Sequence, residues 1–221
     1  MNKVKLKICG ITCLEDATMA VKLGANALGF IFAPSPRQIG VRKARRIIRA
    51  IPPFVMSVGV FVNEAAPTIK EIMQHCSLDR IQLHGDESPA FCDEFMPYAI
   101  KSIRVKDESC LQISKAYYGS VRALLLDTYS DSMAGGTGKT FDWQLAIQIS
   151  KQGTPIILSG GLRPANIAAA IHLVRPYAVD VNSGVESRPG KKSYTLIKSL
   201  AENVRQATFA GHGVEGESSD D

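Results

Sequence analysis

Along almost its whole length, this chain alternates between two patterns of hydrophobic and polar positions. Short apolar runs, rich in Val, Ile and Leu, are typical of parallel strands that helices cover. Between them lie segments in which apolar residues recur every three to four positions, which predicts amphipathic helices. Strands are predicted at residues 4–9, 27–32, 57–62, 80–84, 99–105, 121–127, 155–159 and 177–182. Helices are predicted at residues 14–23, 41–51, 67–75, 88–95, 108–117, 142–150, 164–174 and 193–204.

Eight consecutive strand–helix units predict an α/β fold, and a single-domain (βα)8 TIM barrel is the architecture that this repeat favours. An open, doubly wound sheet is the alternative, because spacing alone does not establish that the sheet closes. The barrel is predicted to occupy residues 1–205. Residues 206–221 are predicted to be a disordered tail, because the chain there becomes small and acidic.

Several residues signal where helices begin and end. Thr12 with Glu15 three positions later is the pattern of a capping box. Gly24 is predicted to follow the end of the first helix as its C′ glycine. Prolines are predicted in the first turn of three later helices, at Pro67, Pro89 and Pro164.

The longest irregular stretch, residues 128–140, is rich in glycine near its end. It is a candidate lid over an active site, and a loop that is merely long is the alternative. Its last residues, Gly138-Lys139-Thr140, resemble the end of a P-loop. That motif needs a glycine where Met133 stands, so we do not predict a nucleotide triphosphatase.

Composition narrows the class of protein. A hydrophobic content of 45% supports a full core, and no apolar run is long enough to span a membrane. The first strand starts within about four residues of the N-terminus, so no signal peptide is expected. Five cysteines without framework spacing predict a reducing, cytoplasmic setting, and no cluster has the spacing of a metal site.

The net charge of +5 is modest and is concentrated in the second predicted helix. Its arginines share one face: Arg42, Arg45, Arg46 and Arg49. Without interleaved aromatic residues, this face is better interpreted as solvated than as a nucleic-acid surface.

Two strands end in residues that can transfer protons. Cys9 ends the first strand just before a helix start, a setting that lowers the pKa of a thiol; a buried structural cysteine is the alternative. Asp127 ends the sixth strand after three leucines, and apolar surroundings raise the pKa of a carboxyl; a cap on the following loop is the alternative. Gln82 and His84 end the fourth strand, and no proton transfer is assigned to His84.

Glycine-rich turns follow the seventh and eighth strands. Gly160 and Gly161 follow the seventh, and Ser183 and Gly184 follow the eighth. Backbone N–H groups can approach an anion closely at such turns, and in barrels these two loops commonly bind phosphate. The alternative is that the glycines only permit tight turns. We predict a phosphate site.

Taken together, the motifs resemble those of the phosphoribosylanthranilate isomerase family of tryptophan biosynthesis. The matching segments occur in the order of that family, at residues 7–12, 59–63, 82–85, 126–128, 136–143, 158–162 and 179–186. The resemblance implies an intramolecular oxidoreductase, an aldose–ketose isomerase without cofactor or metal. Its reaction is the Amadori rearrangement of N-(5-phospho-β-D-ribosyl)anthranilate to 1-(2-carboxyphenylamino)-1-deoxy-D-ribulose 5-phosphate.

The resemblance also implies roles for individual residues. Cys9 matches the general base and Asp127 the general acid. Arg37 matches the arginine that binds the anthranilate carboxylate. Gln82, His84 and Asp180 are assigned to substrate binding, and Asp180 is a candidate partner for an inward-facing Lys7. The expected ligand is the phosphorylated sugar–anthranilate substrate, and neither nucleic acid nor a membrane is expected as a partner. The protein itself is expected to be a monomer or weak dimer.

Two other functions remain as alternatives. A histidine-pathway sugar-phosphate isomerase performs the same chemistry, but its bis-phosphorylated substrate requires two phosphate sites and an aspartate pair. Here the first strand ends in Cys9, and only the last quarter of the chain carries a phosphate signature. A barrel that only binds a ligand is disfavoured because Cys9, Asp127 and Arg37 are all present.

Overall fold

A closed barrel of parallel strands forms the centre of the protein in a computed structural model that describes residues 3–128 and 141–210. The barrel strands are β1 (Lys5–Ile8), β2 (Ala27–Ile31), β3 (Met56–Phe61), β4 (Arg80–Leu83), β5 (Ala99–Val105), β6 (Ala123–Thr128), β7 (Ile156–Leu158) and β8 (Ala178–Val181). Each strand pairs with the next in the chain, and β8 pairs with β1. The predicted TIM barrel is therefore confirmed, and the open sheet is excluded.

Helices follow the strands and cover the outside of the barrel. They are α1 (Leu14–Lys22), α2 (Val41–Ile48), α3 (Ala66–Cys76), α4 (Pro89–Asp93), α5 (Ser109–Ala116), α6 (Trp143–Ser150), α7 (Ile167–Val174) and α8 (Tyr194–Ala210). On α2, Ala44 and Ile47 are buried while Arg42 and Arg46 are exposed, as the amphipathic pattern predicts. No helix in the described ranges has the length and apolarity needed to cross a membrane.

The structure adds a hairpin after β8 that the pattern did not predict. A 3-10 turn at Ser183–Val185 leads into β9 (Glu186–Arg188), which pairs antiparallel with β10 (Lys191–Lys192). Helix α8 continues beyond residue 205 to Ala210, and Ala207 and Thr208 are buried. Residues 211–221 of the predicted tail and residues 129–140 of the candidate lid, which was predicted at 128–140, lie outside the described residues.

Two predicted helix starts are wrong. Cys13, and not Thr12, precedes α1 as its N-cap, and it makes no capping hydrogen bond through its side chain. The Thr12 hydroxyl instead donates to the carbonyl of Gly190 at 2.7 Å, a contact with the hairpin that local sequence does not reveal. Pro164 lies in the turn before α7, so it is not a first-turn proline.

The other signals at helix ends are confirmed. Pro67 and Pro89 lie in the first turns of α3 and α4. Gly24 follows the C-cap of α1 with a φ of +104°, a conformation that favours glycine.

Side chains alternate along the strands between the inside of the barrel and the surrounding helices. Leu6 and Ile8 of β1 belong to the large core between sheet and helices. A second, smaller apolar cluster is formed by strand residues on the inner face of the barrel: Val58, Ile100, Ala123, Leu125, Ile157 and Ala178. Buried polar residues of the strands include Lys7, Gln82, Ser102 and Asp180. Because parallel strands end at the same rim, this arrangement directs polar side chains toward the carboxyl end of the barrel.

Candidate active site

A cavity of about 220 Å³ opens at the carboxyl end of the barrel. It is bordered by every residue that the sequence proposed as a site residue: Cys9, Arg37, Gln82, His84, Asp127, Gly160, Gly161, Asp180, Ser183 and Gly184. Residues separated by more than half of the chain therefore meet around one space. Their individual roles stay predictions.

Cys9 directly follows β1 and is buried, with 4% of its surface exposed. Burial raises the pKa of the Cys9 thiol above its usual value, the charge of Lys7 acts against this rise, and Asp180 adds to it. The predicted lowering of the pKa of Cys9 is therefore wrong. Helix α1 begins only at Leu14, so the thiol lies away from the helix end that would have favoured the thiolate.

Lys7 and Asp180 form a buried ion pair beside Cys9. The Lys7 Nζ lies 2.8 Å from Asp180 Oδ2, and β1 and β8 pair with these two residues directly opposite each other. Burial alone lowers the pKa of Lys7, but attraction to Asp180 and Cys9 outweighs burial and raises the pKa above its usual value. The predicted pairing is confirmed, and Lys7 keeps its positive charge next to the thiol.

Asp127 and His84 lie next to each other at the cavity. The His84 Nε2 lies 3.3 Å from Asp127 Oδ2, and the backbone N–H of Thr128 donates to Asp127 Oδ1 at 2.9 Å. The Gln82 Nε2 lies 2.8 Å from His84 Nδ1, and the Lys7 Nζ donates to Gln82 Oε1 at 3.0 Å. Hydrogen bonds thus connect Lys7, beside Cys9, with His84, and His84 lies within ion-pair distance of the carboxyl of Asp127.

Two loops form the opposite side of the cavity. Gly160 and Gly161 have φ angles of +82° and +62°, which favour glycine. Within the described residues, the N–H groups of these glycines and of Ser183 and Gly184 donate no hydrogen bond. They are therefore free to bind an anion.

Close packing also requires glycine in these loops. A Cβ at Gly184 would collide with the carbonyl oxygen of Leu162. A Cβ at Gly160 would lie 2.5 Å from the backbone nitrogen of Thr128. A larger residue at either position would disturb the loops themselves, so its effect would not report specifically on phosphate binding.

Arg37 reaches the cavity from the loop after β2 and is held by Glu186. The Arg37 Nε donates to both carboxylate oxygens of Glu186 at 3.0 Å, and Nη2 donates to Oε2 at 2.8 Å. The other edge of the guanidinium, between Nη1 and Nη2, makes no hydrogen bond within the described residues. That edge matches the two oxygens of a carboxylate ligand.

Lys192 completes this charged cluster. Its Nζ donates to Glu186 Oε1 at 2.9 Å and to Asn182 Oδ1 at 3.0 Å, and its side chain is fully buried. Burial by itself would raise the pKa of Glu186, but the hydrogen bonds from Arg37 and the charge of Lys192 hold it below its usual value. Burial lowers the pKa of Lys192, against the attraction of Glu186.

Sequence reasoning missed three features of the site. Glu186 and Lys192 received no role, although both lie in or near a matching motif. Gly29 lies against Cys9, because a Cβ there would meet the Cys9 Sγ at 2.6 Å. The only sequence signal for Gly29 is its position inside an apolar strand. Such a glycine indicates that another group packs closely against the strand, but the sequence does not show which group it is.

No group of three or more His, Cys, Asp or Glu residues in the described part of the chain is arranged to hold a metal ion. The polar groups of the cavity are instead a thiol, a carboxyl, an imidazole, a guanidinium and backbone N–H donors. Such a set fits proton transfer on an anionic ligand.

Comparison with known proteins identifies the family. The model of the N-(5'-phosphoribosyl)anthranilate (PRA) isomerase family matches residues 6–203. The chain belongs to this family. The isomerase of Trichlorobacter lovleyi is 48% identical over 205 residues, which cover 92% of this chain and 99% of that protein.

Solved structures of PRA isomerases have the same fold. The structure of phosphoribosyl anthranilate isomerase from Thermotoga maritima has a TM-score of 0.86 and 43% identity, and the match covers 92% of this chain and 99% of that one. A phosphoribosyl anthranilate isomerase in complex with reduced 1-(o-carboxyphenylamino)-1-deoxyribulose 5-phosphate has a TM-score of 0.82 and 41% identity, with the same coverage.

Proposed function

We propose that the cavity catalyses the Amadori rearrangement of N-(5-phospho-β-D-ribosyl)anthranilate to 1-(2-carboxyphenylamino)-1-deoxy-D-ribulose 5-phosphate in L-tryptophan biosynthesis. The observation that carries this proposal is that Cys9 and Asp127 border one cavity in a chain that belongs to the PRA isomerase family. A thiol and a carboxyl at one site provide the base and the acid that the reaction requires.

In the first step, Asp127 donates a proton to the ring oxygen of the ribose. The bond between C1′ and the ring oxygen breaks, and the nitrogen lone pair forms a C1′=N bond, giving a protonated Schiff base. The thiolate of Cys9 then removes the proton from C2′, and the electrons of the C–H bond form an enolamine. Loss of the 2′-hydroxyl proton and protonation of C1′ give the ketone, so the product is an isomer of the substrate.

The charged residues around Cys9 favour this assignment. A thiol is a base only as the thiolate, and burial disfavours that form. Lys7 lies beside Cys9 and opposes the effect of burial, because its positive charge stabilises the thiolate. Lys192 acts in the same direction.

The two anionic ends of the substrate match different parts of the cavity. The free N–H groups of Gly160, Gly161, Ser183 and Gly184 are suited to the phosphate. The unoccupied edge of Arg37 is suited to the anthranilate carboxylate. Gln82, His84 and Asp180 border the space between these ends. The relative in complex with a reduced deoxyribulose 5-phosphate supports a ligand of this chemistry.

The fluorescence of freshly prepared phosphoribosylanthranilate offers a direct test. Wild-type protein should make it decay, and inorganic phosphate at tens of millimolar should slow the decay by competition. Cys9→Ala and Asp127→Asn should each lower kcat by about 10² or more, because each removes a general acid–base group. A wild-type protein without turnover would refute the proposed function, and full turnover in either variant would refute the assignment of that residue.

We also propose that the protein works in the cytoplasm as a monomer or weak dimer, without nucleic acid or a membrane as partner. All five cysteines are free thiols, which fits a reducing compartment. The Thermotoga maritima relative is described as dimeric. Sedimentation equilibrium at micromolar concentration would contradict this proposal if it found a tight oligomer.

A further inference from the structure

Each nitrogen of the His84 ring faces a polar side chain. Gln82 Nε2 lies 2.8 Å from Nδ1 and makes a hydrogen bond there, and Nε2 lies 3.3 Å from Asp127 Oδ2, within ion-pair distance. The neutral imidazole carries one proton, so one nitrogen donates and the other accepts. The partners therefore decide which tautomer is present.

The direction of these hydrogen bonds is set by Lys7. Its ammonium group can only donate, so the group of Gln82 that faces it at 3.0 Å must be the carbonyl oxygen. The amide NH₂ of Gln82 then faces His84 and can only donate to Nδ1. Lys7 is fixed in turn by its ion pair with Asp180.

We infer that Gln82 is a positioning residue that holds neutral His84 in the tautomer with its proton on Nε2, and thereby orients the carboxyl of Asp127. The Nε2–H of His84 then faces Asp127 Oδ2 at 3.3 Å, while the N–H of Thr128 donates to Oδ1. Both carboxyl oxygens thus have a positively polarised N–H group beside them before a ligand enters the cavity.

Burial protects the start of this chain of hydrogen bonds from competition by water. Gln82 is 2% exposed and Lys7 is 4% exposed. The other contact of the His84 ring is Ser102 of β5, whose Oγ lies 3.4 Å from Nε2. A hydroxyl can donate or accept, so Ser102 is compatible with either tautomer and Gln82 decides between them.

The inference rests on the proposed function in one respect, since it takes Asp127 as the group that donates a proton to the substrate. If His84 carried its proton on Nδ1 instead, the lone pair of Nε2 would repel an ionised Asp127, or would accept the proton that a neutral Asp127 should give to the substrate. Either outcome would turn the carboxyl, or its proton, away from the substrate. A misplaced catalytic group costs about 10²-fold in rate when it moves by about 1 Å.

The ¹⁵N NMR signals of the His84 ring test the tautomer directly, and they can be assigned by their loss in His84→Asn. At a pH where the ring is neutral, the wild-type protein should show a protonated Nε2 and an unprotonated Nδ1. Gln82→Glu should reverse this pattern, because a carboxylate facing both Lys7 and Nδ1 can only accept. Gln82→Met should give a mixture of tautomers. Gln144→Glu, which places the same change on the exposed face of α6, should leave the wild-type pattern.

A wild-type ring with its proton on Nδ1, or in a mixture of tautomers, would overturn the inference, and this result needs no variant to fold. An unchanged pattern in folded Gln82→Glu would overturn it as well. In the kinetic test, Gln82→Glu and Gln82→Met should lower kcat by roughly 10-fold to 10²-fold with KM changed by less than about 3-fold. A rise confined to KM would instead mean that Gln82 binds substrate directly, and would overturn the positioning role.

The NMR result does not depend on turnover. If the wild-type protein lacks isomerase activity, the proposed function fails while the tautomer can still be observed. If the protein is active but the tautomer differs, only the inference about Gln82 fails.

Discussion

The chemistry of individual residues in this site depends on charges that lie next to them. Burial makes the largest contribution to the pKa of the Cys9 thiol and raises it. The charge of Lys7 lowers this pKa, and the charge of Asp180 raises it. Lys7 divides its interactions between Asp180 and the thiol. The charge balance of these three residues therefore controls how much thiolate is available as a base.

Asp180→Asn should increase the reactivity of Cys9. The substitution removes a negative charge that raises the pKa of the thiol and leaves Lys7 free to attract the thiolate. Alkylation of Cys9 by iodoacetamide, followed by mass spectrometry of its peptide, should be slow in the wild-type protein at pH 8. Its rate should rise with pH past the usual thiol range, because only the thiolate reacts and the pKa is raised.

At pH 8 the folded Asp180→Asn variant should react faster than the wild type. Glu94→Gln, at an exposed ion pair with Lys70, is the control and should react at the wild-type rate. Equal or slower alkylation in Asp180→Asn would show that Asp180 does not govern the thiol.

At the scale of elements, the hairpin of β9 and β10 connects the last strand of the barrel to the first helix and to the loop after β2. Asp16 of α1 is buried and accepts from Lys191 Nζ and from the backbone N–H of Lys192. Glu186 on the same hairpin holds Arg37. The hairpin therefore fixes the position of Arg37 through elements that are far apart in the sequence.

Glu186→Gln should raise KM for phosphoribosylanthranilate by about 10-fold while kcat changes less than about 3-fold. The substitution replaces the charge-assisted pair between Arg37 and Glu186 with weaker hydrogen bonds. The Arg37 guanidinium is then no longer fixed in the orientation that faces the anthranilate carboxylate of the substrate. Because the carboxylate is remote from the reacting carbons, its contact should contribute equally in the ground and transition states. Arg37→Lys should show the same behaviour.

A substrate analogue with aniline in place of anthranilate separates the possible causes. It lacks the carboxylate, so its KM should be the same in wild-type protein and in Glu186→Gln. An equal rise in KM for both compounds would mean that Glu186 supports the site in general and does not act through carboxylate binding. Thermal unfolding should accompany the assay, because Glu186→Gln leaves the buried Lys192 without an opposite charge.

For the whole molecule, α8 closes the outer ring of helices, because this last helix packs against the first. It packs against α7 and α1, and Asn203 Nδ2 donates to the carbonyl of Pro164 at 2.9 Å. Ala207 and Thr208 are buried beyond the predicted domain end at residue 205. Residues that composition alone assigned to a tail therefore pack with the rest of α8.

Truncation experiments should locate the end of the folded domain. Removal of residues 211–221 should leave kcat/KM and the Tm unchanged, as expected for a tail without a role. Removal of residues 206–221 should lower the Tm, because it exposes apolar surface that α8 buries. For a domain of this size, each kcal/mol of unfolding free energy that is lost should lower the Tm by roughly 2–4 °C. Equal Tm values for the two truncated proteins would instead support residue 205, the end predicted from the sequence, as the end of the folded domain.

Much of the architecture follows from the sequence alone. Strand and helix periodicity determined eight strand–helix units and favoured a barrel, and the structure established that the sheet closes. Parallel strands end at one edge of either sheet, so Cys9 and Asp127 had to lie on the same side of the molecule. Only the tertiary structure decided how the side chains meet there. The register of β1 and β8 placed Lys7 opposite Asp180, and the register of β1 and β2 brought Gly29 against Cys9.

Arg37 and Glu186, which lie 149 residues apart in the chain, met only through the hairpin. The pKa of Cys9 was mispredicted for the same reason, since burial and distant charges set it, and neither is a local property of the sequence. Periodicity determines which face of an element is buried, whereas the partners of a buried polar group depend on long-range packing.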